Sequence, residues 1–289
     1  MKRSYLTNLL LLTLMMVLLW QLDHVQTPQT VTTIGDSLTA SMVQKITVNR
    51  AEQKTIEIVR DNNGWQLQQP FVAAASESRI NMLLSLLDSV PVEQFAADDL
   101  DLAEFGLAEP SLTLTFNDKT FAFGDTESLS GQRYLRSGDS VYLFDDSISP
   151  LLQASATGFI ENRLFANRGD LNALTVTYRD AQTLQNQAFA LQLQDGQWQS
   201  TESGFSTDQL TAIANAWQQA YAMQVSPNTA PPADDFLPLQ FNFDNGQSIA
   251  AHARLSAQGL SVLVPEWQLQ YQFPASTADS LFPAVNETD

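Results

Sequence analysis

An internal repeat is the feature of this sequence that most limits its possible folds. In each half, two alternating strand-like segments lead to a turn and then to a strand with a tryptophan, Trp65 in the first half and Trp198 in the second. A helix-like segment with apolar residues at helical spacing follows, around Ile80 in the first half and Ile213 in the second. Both pairs are separated by 133 positions. Leu112 and Leu239 are 127 positions apart and Tyr142 and Tyr271 are 129 apart, and so narrow a range of spacings predicts two copies of one structural unit.

The repeat also predicts the order of elements inside each unit. Further strand-like segments come after each helix, at 112–116 in the first half and at 239–243 in the second. We therefore predict an α+β fold made of two tandem ββ-α-β(n) repeats with antiparallel sheets, covering residues 43–152 and 172–289. A connector at 153–171 joins the two repeats. The length of 289 residues is enough for each repeat to bury a core.

An apolar segment precedes the repeats. Leu6 to Trp20 carries no charge, and Lys2 and Arg3 lie immediately before it. The segment is slightly shorter than the about 20 residues of a usual membrane span, but no small-residue cleavage pattern follows it. We predict an uncleaved N-terminal transmembrane helix, with residues 1–22 as cytoplasmic tip and anchor and 23–42 as a linker; a cleaved signal peptide is the alternative. The positive-inside rule then predicts a single-pass inner-membrane protein with a cytoplasmic N-terminus and a periplasmic ectodomain.

Charge and composition exclude several classes of function. The net charge is -18, from 32 acidic and 14 basic residues, so the protein should repel nucleic acid and anionic headgroups. Contact with the lipid bilayer is therefore expected only through Leu6 to Trp20. The chain has no cysteine, and its two histidines, His24 and His252, are far apart in the sequence. We predict no metal site and no cofactor.

One short motif resembles a catalytic site. Gly35-Asp36-Ser37-Leu38 matches the GDSL sequence of the SGNH-type esterases. Those enzymes need a histidine in a D-x-x-H motif, and here Ile249 occupies the aspartate position before His252. Because a serine without its base is not nucleophilic at neutral pH, we predict no catalytic residue and no enzymatic activity.

A basic and aromatic cluster lies in and near the predicted connector. It consists of Arg163 and Arg168 with Phe159 and Phe165. Local ion pairs with neighbouring acidic residues are one explanation. The other is a contact site for an acidic or polymeric partner, and we take these four residues as the candidate partner contacts.

The first repeat carries a set of motifs with a recognisable order. They are NGWQLQQP at 63–70, FGLAEP at 105–110 ahead of a strand, Phe-Gly at 123–124, and Arg-Tyr-Leu at 133–135 followed by Val-Tyr at 141–142. This order resembles the domain of unknown function 4340 family. The second half of the chain looks like a diverged copy of the first. The resemblance implies a bacterial envelope setting beside ABC-type export systems and gliding-motility auxiliary proteins. It brings no catalytic or ligand-binding residues.

Anchor, repeats and resemblance together lead to one expected function and one alternative. The expected function is a non-enzymatic, membrane-anchored periplasmic accessory or scaffold protein, an auxiliary subunit of an ABC-type transport system with a membrane or periplasmic protein as its partner. The alternative is a periplasmic binding module for an envelope glycan or an exported polymer. An exposed aromatic surface in a concave site would favour the alternative.

Overall fold

Two antiparallel β-sheets, one from each half of the chain, dominate the fold. The computed structural model describes residues 15–16, 32–62, 64–179 and 185–282. The first sheet contains β1 Lys45–Arg50, β2 Ile56–Asp61, β3 Gly64–Gln69, β4 Ala73–Ala74, β5 Glu93–Ala96, β6 Leu112–Phe116, β7 Lys119–Thr126, β8 Arg133–Ser137 and β9 Ser140–Phe144. The second contains β10 Leu171–Arg179, β11 Asn186–Gln194, β12 Gln197–Ser200, β13 Gln224–Pro227, β14 Leu237–Phe243, β15 Ser248–Ser256, β16 Gly259–Val264 and β17 Leu269–Phe273.

Short helices connect and cover the sheets. The α-helices of the described part are α1 Glu77–Leu84, α2 Ser149–Gln153, α3 Thr207–Gln218 and α4 Ala275–Leu281. Single 3-10 turns occur at Ala40–Met42, Ser85–Asp88, Ala97–Asp99, Ala156–Phe159 and Pro265–Trp267.

The two sheets have corresponding strand orders. The first runs β4-β3-β2-β1-β6-β7-β8-β9-β5, and the second runs β12-β11-β10-β14-β15-β16-β17-β13. With β4 set aside, each strand of the second sheet takes the place of its counterpart in the first. In each half a helix, α1 or α3, carries the chain from one edge of the sheet to the opposite edge.

Alternating residues explain how each half builds its core. In β1, Ile46 and Val48 are buried while the residues on either side of them are more exposed, as expected of a strand with one covered face. The helices add their apolar stripes, with Ile80 and Leu83 buried in α1 and Trp217 in α3. Most buried side chains of both halves belong to one continuous hydrophobic cluster, and Ala97, Leu107 and Val141 form a second, small one in the first half. Burial therefore continues from one sheet to the other.

The predicted α+β class with an N-terminal transmembrane helix is wrong. The described chain is mostly β. Strands such as β7 and β16 extend the two sheets, whereas the helix α1 has only 8 residues. No helix in the described ranges has the length and apolar character that a membrane crossing requires. Of the predicted span Leu6 to Trp20, only Met15 and Met16 are described, and the remainder lies outside the described residues.

Residues 153–171, the predicted connector, form hydrogen bonds to both halves. On the first side the connector bonds to β4 and to the chain just after it, and on the second side to the chain just before β13. These backbone bonds are Ser76 N–H to Phe159 O (2.8 Å), Glu161 N–H to Ala74 O (2.9 Å), Leu164 N–H to Ala220 O (2.9 Å) and Ala222 N–H to Asn162 O (2.9 Å). The connector thus fills the space between the β4 edge of one sheet and the β13 edge of the other.

Candidate functional site

A groove of about 800 Å³ lies where the first sheet, the connector and the second sheet meet. The first sheet contributes side chains from the β3–β4 hairpin, including Phe71. The connector contributes Arg163 and Arg168, and the second sheet contributes Trp267 and Tyr271. We call this site the inter-sheet groove. Its volume is within the range of about 300–1,000 Å³ that is common for ligand pockets.

The structure separates the four predicted partner contacts into two pairs. Arg163 is exposed and Arg168 is half-buried, and both line the inter-sheet groove. Phe159 and Phe165 are buried, with 0% and 3% of their surface exposed. The Phe165 ring lies 4.8 Å from that of Phe241, in the core of the second half. The arginines are therefore available to a partner, whereas the two phenylalanines hold the connector in the core.

The cations of the groove form no ion pair with a described carboxylate, although Glu161 and Glu266 line the same groove. Lys54, Arg163 and Arg168 line the groove, and none of them has a carboxylate oxygen within 4.0 Å in the described part of the chain. The carboxylate of Glu161 also lines the groove, but it accepts a hydrogen bond from the backbone N–H of Arg163 at 2.9 Å. Local ion pairing, the alternative explanation for the two arginines, is thus not what the described residues show.

Aromatic side chains form the second-sheet wall of the groove. The Arg168 guanidinium lies 4.6 Å from the centre of the Trp267 ring, within cation–π range. Trp267 is half-buried and packs edge-on against Tyr271, with ring centres 6.3 Å apart. Burial raises the pKa of the Tyr271 phenol above its ordinary value; the charge of Arg168 opposes this shift and that of Glu161 adds to it. Tyr271 therefore keeps its proton at neutral pH and can donate a hydrogen bond.

Trp267 and Tyr271 were not identified from the sequence as candidate site residues. Trp267 belongs to the 3-10 turn Pro265–Trp267, and Gln268, the next residue, has a left-handed backbone with φ of 55°. That turn brings the ring beside Arg168, which is 99 positions earlier in the chain. A linear pattern contains no signal for such a contact.

The GDSL tetrapeptide has a structural role in the described fold. Gly35 donates its N–H to Leu87 O at 2.9 Å and accepts a hydrogen bond from the Lys119 ammonium at 2.8 Å. A Cβ at this position would lie 2.6 Å from Leu87 O, so only glycine fits. Ser37 is exposed beside the first half, whereas His252 lies on β15 of the second sheet. His24 lies outside the described residues, among which no cluster of three or more His, Asp or Glu could hold a metal ion.

The motifs at 105–110 and 123–124 interlock in the first half. Asp125 donates its backbone N–H to Phe105 O at 2.8 Å, and a Cβ on Gly124 would lie 2.3 Å from the same oxygen. Arg133 donates to Gly124 O at 2.7 Å and pairs with Asp146 at 2.6 Å. These residues stabilise the fold and lie outside the groove lining.

The fold and the groove describe a β-rich protein of two corresponding sheets with a groove of cationic and aromatic side chains between them. The model of the family described as "Domain of unknown function (DUF4340)" matches residues 65–234, more than half of the chain, and the chain belongs to this family. The resemblance noted in the sequence is thereby confirmed. The match runs from β3 to just before β14 and includes Arg163 and Arg168, but not Trp267. Comparisons with curated proteins and with solved structures give no match.

Proposed function

We propose that this protein is a non-enzymatic accessory protein of the bacterial envelope that acts by binding a partner in the inter-sheet groove. The supporting observation is the set of cations in that groove, Lys54, Arg163 and Arg168, which have no carboxylate within 4.0 Å in the described chain. On a protein of net charge -18, cations that pair with no local acid are available for an external anionic group.

The proposed cellular setting is a periplasmic one, in the service of an ABC-type transport system. The apolar segment after Lys2 and Arg3 favours export of the rest of the chain. The link to transport comes from the family resemblance and not from the groove, so it is an association and not a physical derivation.

A periplasmic binding module for an envelope glycan or an exported polymer is the second candidate. Two observations favour it. Phe71 and Trp267 present half-buried rings in a concave site, and the glutamines Gln66, Gln68 and Gln268 line the same site. Aromatic faces with adjacent amide groups suit ligands that have both apolar and hydroxyl surfaces.

Photo-crosslinking in living cells tests the groove as the binding site. A photoreactive residue at Gln68, which is exposed and lines the groove, should form an adduct with a transport component or an envelope polymer. The same residue at Gln199, exposed on β12 and outside the groove, is the matched control. Replacing Arg163 and Arg168 by glutamine should reduce the Gln68 adduct.

Two results would contradict this proposal. One is the absence of any adduct from Gln68. The other is an equal adduct from Gln68 and Gln199, which would show that the groove is not a preferred contact. The identity of the adduct decides between the two candidates, because a transport component supports the accessory function and a saccharide supports the binding module.

A further inference from the structure

We propose that the inter-sheet groove binds an acidic polysaccharide, a sugar chain with carboxylate groups, with Arg163 and Arg168 binding carboxylates and Trp267 contacting a sugar ring. This proposal rests on the proposed function of the groove as the binding site, and it adds the chemical class of the ligand.

The charge distribution favours an anionic ligand. Lys54, Arg163 and Arg168 are three of only 14 basic residues in the chain, and they line one groove. Glu161 and Glu266 are the acidic residues among its lining, and the remaining ones of the 32 acidic residues repel a polyanion elsewhere, so it should bind where the cations are concentrated. Arginine has a planar fork of donors that matches a carboxylate in two parallel hydrogen bonds. An acidic chain should therefore bind at the arginines and in one place.

The hydrogen bonding at the groove edge disfavours a peptide ligand. One recurring way for an extended peptide to bind a sheet is to add a strand to an open edge. Here the connector already occupies the edge beside β4, where Ala74 O accepts the Glu161 N–H at 2.9 Å and Ser76 N–H donates to Phe159 O at 2.8 Å. Strand addition at this edge is therefore blocked, which favours recognition by side chains, as for a sugar chain.

The side chains of the groove offer hydrogen bonds and an aromatic surface together. Gln66, Gln68 and Thr229 line it and provide donors and acceptors that suit hydroxyl groups. Arg168 lies over the Trp267 ring at 4.6 Å, so a guanidinium and a half-buried indole are adjacent. Tyr271 lines the same site with only 4% of its surface exposed, and its hydroxyl makes no hydrogen bond to another described residue. A ligand oxygen is the partner that this hydroxyl lacks.

Calorimetric titration of the full chain with defined oligomers tests the ligand class. The probes are tetragalacturonate, the uncharged galactose tetramer, and tetraglutamate as an acidic peptide. We expect tetragalacturonate to bind, and Arg163→Gln or Arg168→Gln to weaken its binding about tenfold each, as for a lost charge-assisted hydrogen bond. Affinity should also fall as salt increases. Arg136→Gln, which removes the same charge from β8 outside the groove, is the matched control and should leave the affinity unchanged.

The proposal is overturned if tetragalacturonate does not bind, if the neutral tetramer binds equally well, or if the double variant R163Q/R168Q keeps full affinity. Tighter binding of tetraglutamate would assign the groove to acidic peptides instead. Unchanged melting temperatures of the variants exclude unfolding as the cause of lost binding. Trp267→Phe, which keeps an aromatic ring, should weaken binding less than Trp267→Ala. If the Gln68 adduct forms in cells while tetragalacturonate fails to bind, only the ligand class is wrong; if neither occurs, the proposed function fails as well.

Discussion

At the scale of single residues, the close approach at Gly124 makes the sharpest stability prediction. A Cβ there would lie 2.3 Å from the backbone oxygen of Phe105, and backbone cannot move as a flexible side chain can. We expect Gly124→Ala to lower the free energy of unfolding by about 1–3 kcal/mol, the usual cost of overpacking.

Gly158 provides the matched control for Gly124. The nearest atoms to a Cβ at Gly158 are 3.3 Å away and belong to side chains, those of Ala154 and Arg79. Gly158→Ala should therefore change the stability by less than about 0.5 kcal/mol. Urea unfolding of both variants measures the difference, and equal stability of the two would show that the contact at Gly124 relaxes freely.

Tyr271 gives the protein a specific loss of stability at high pH. Burial raises the pKa of its phenol in the folded state, so the unfolded state releases this proton first as the pH rises above the ordinary value of about 10. The contribution of Tyr271 to stability is complete below that pH and is lost above it. The loss should reach about 1.4 kcal/mol at pH 11.

Tyr271→Phe isolates this effect from that of the other tyrosines. The variant should lose less stability than the unmodified protein between pH 9 and 11, as measured by urea unfolding at each pH (about 1.4 kcal/mol less at the upper end). Tyr221→Phe is the control, because Tyr221 is 61% exposed. Parallel pH profiles for the unmodified protein and Tyr271→Phe would show that the phenol is not held in its neutral form.

The sequence identified part of the groove at this scale. Arg163 and Arg168 stand out because basic residues are few, and both line the groove. The aromatic residues beside them in the sequence are buried, and the aromatic wall comes instead from Trp267. Which ring faces a guanidinium depends on how the connector lies against the second sheet. That contact is made through space, and local patterns do not determine it.

At the scale of elements, the cap of α3 predicts a measurable difference between α1 and α3. The Ser206 hydroxyl accepts the Gln209 N–H at 3.3 Å, and the Gln209 side chain accepts the Ser206 N–H at 2.8 Å, which is a capping box. Ser76 occupies the corresponding position of α1 and makes no side-chain cap. Ser206→Ala should cost about 1 kcal/mol in thermal unfolding. Ser76→Ala should cost less, and equal costs would contradict the importance of the cap.

The regularity of the hydrophobic pattern explains which elements could be predicted from the sequence. The helix stripes around Ile80 and Ile213 are regular, and both residues lie in helices. All six residues of β16 are buried, so that strand lacks the alternation by which strands are recognised. In β7 the register shifts between Phe123 and Thr126, so the Phe123-Gly124 motif lies in an irregular part of the strand. Strands of this kind give no clear pattern in the sequence, and they make the fold richer in β structure than the predicted α+β class.

Trp198 shows how a corresponding position can differ in environment. Trp65 on β3 is buried, with 6% of its surface exposed, whereas Trp198 on β12 is only half-buried. In the second half the fully buried indole is that of Trp217 on α3, which donates its N–H to Leu281 O at 2.7 Å. The order of strands is thus shared by the two halves, while the large side chain that fills the core comes from different elements.

At the scale of the whole molecule, the connector determines whether the halves unfold together. Phe165 belongs to the connector and is buried against Phe241 and Phe243 of β14, at ring distances of 4.8 and 5.2 Å. The same connector is hydrogen-bonded to the first half at Ala74 and Ser76. Because one hydrophobic cluster includes both halves, we expect a single cooperative unfolding unit.

Phe165→Ala tests this cooperativity. Removing the buried ring should cost about 3–5 kcal/mol, and in a single unit this loss should appear in both sheets. Native-state hydrogen exchange measures it at Val48 on β1 and Val176 on β10, which are both fully buried. Leu193→Ala, at a side chain with 40% of its surface exposed, is the control and should change neither amide by more than about 0.5 kcal/mol. If Val176 loses protection while Val48 keeps it, the halves unfold separately, and the groove between them can open without either sheet unfolding.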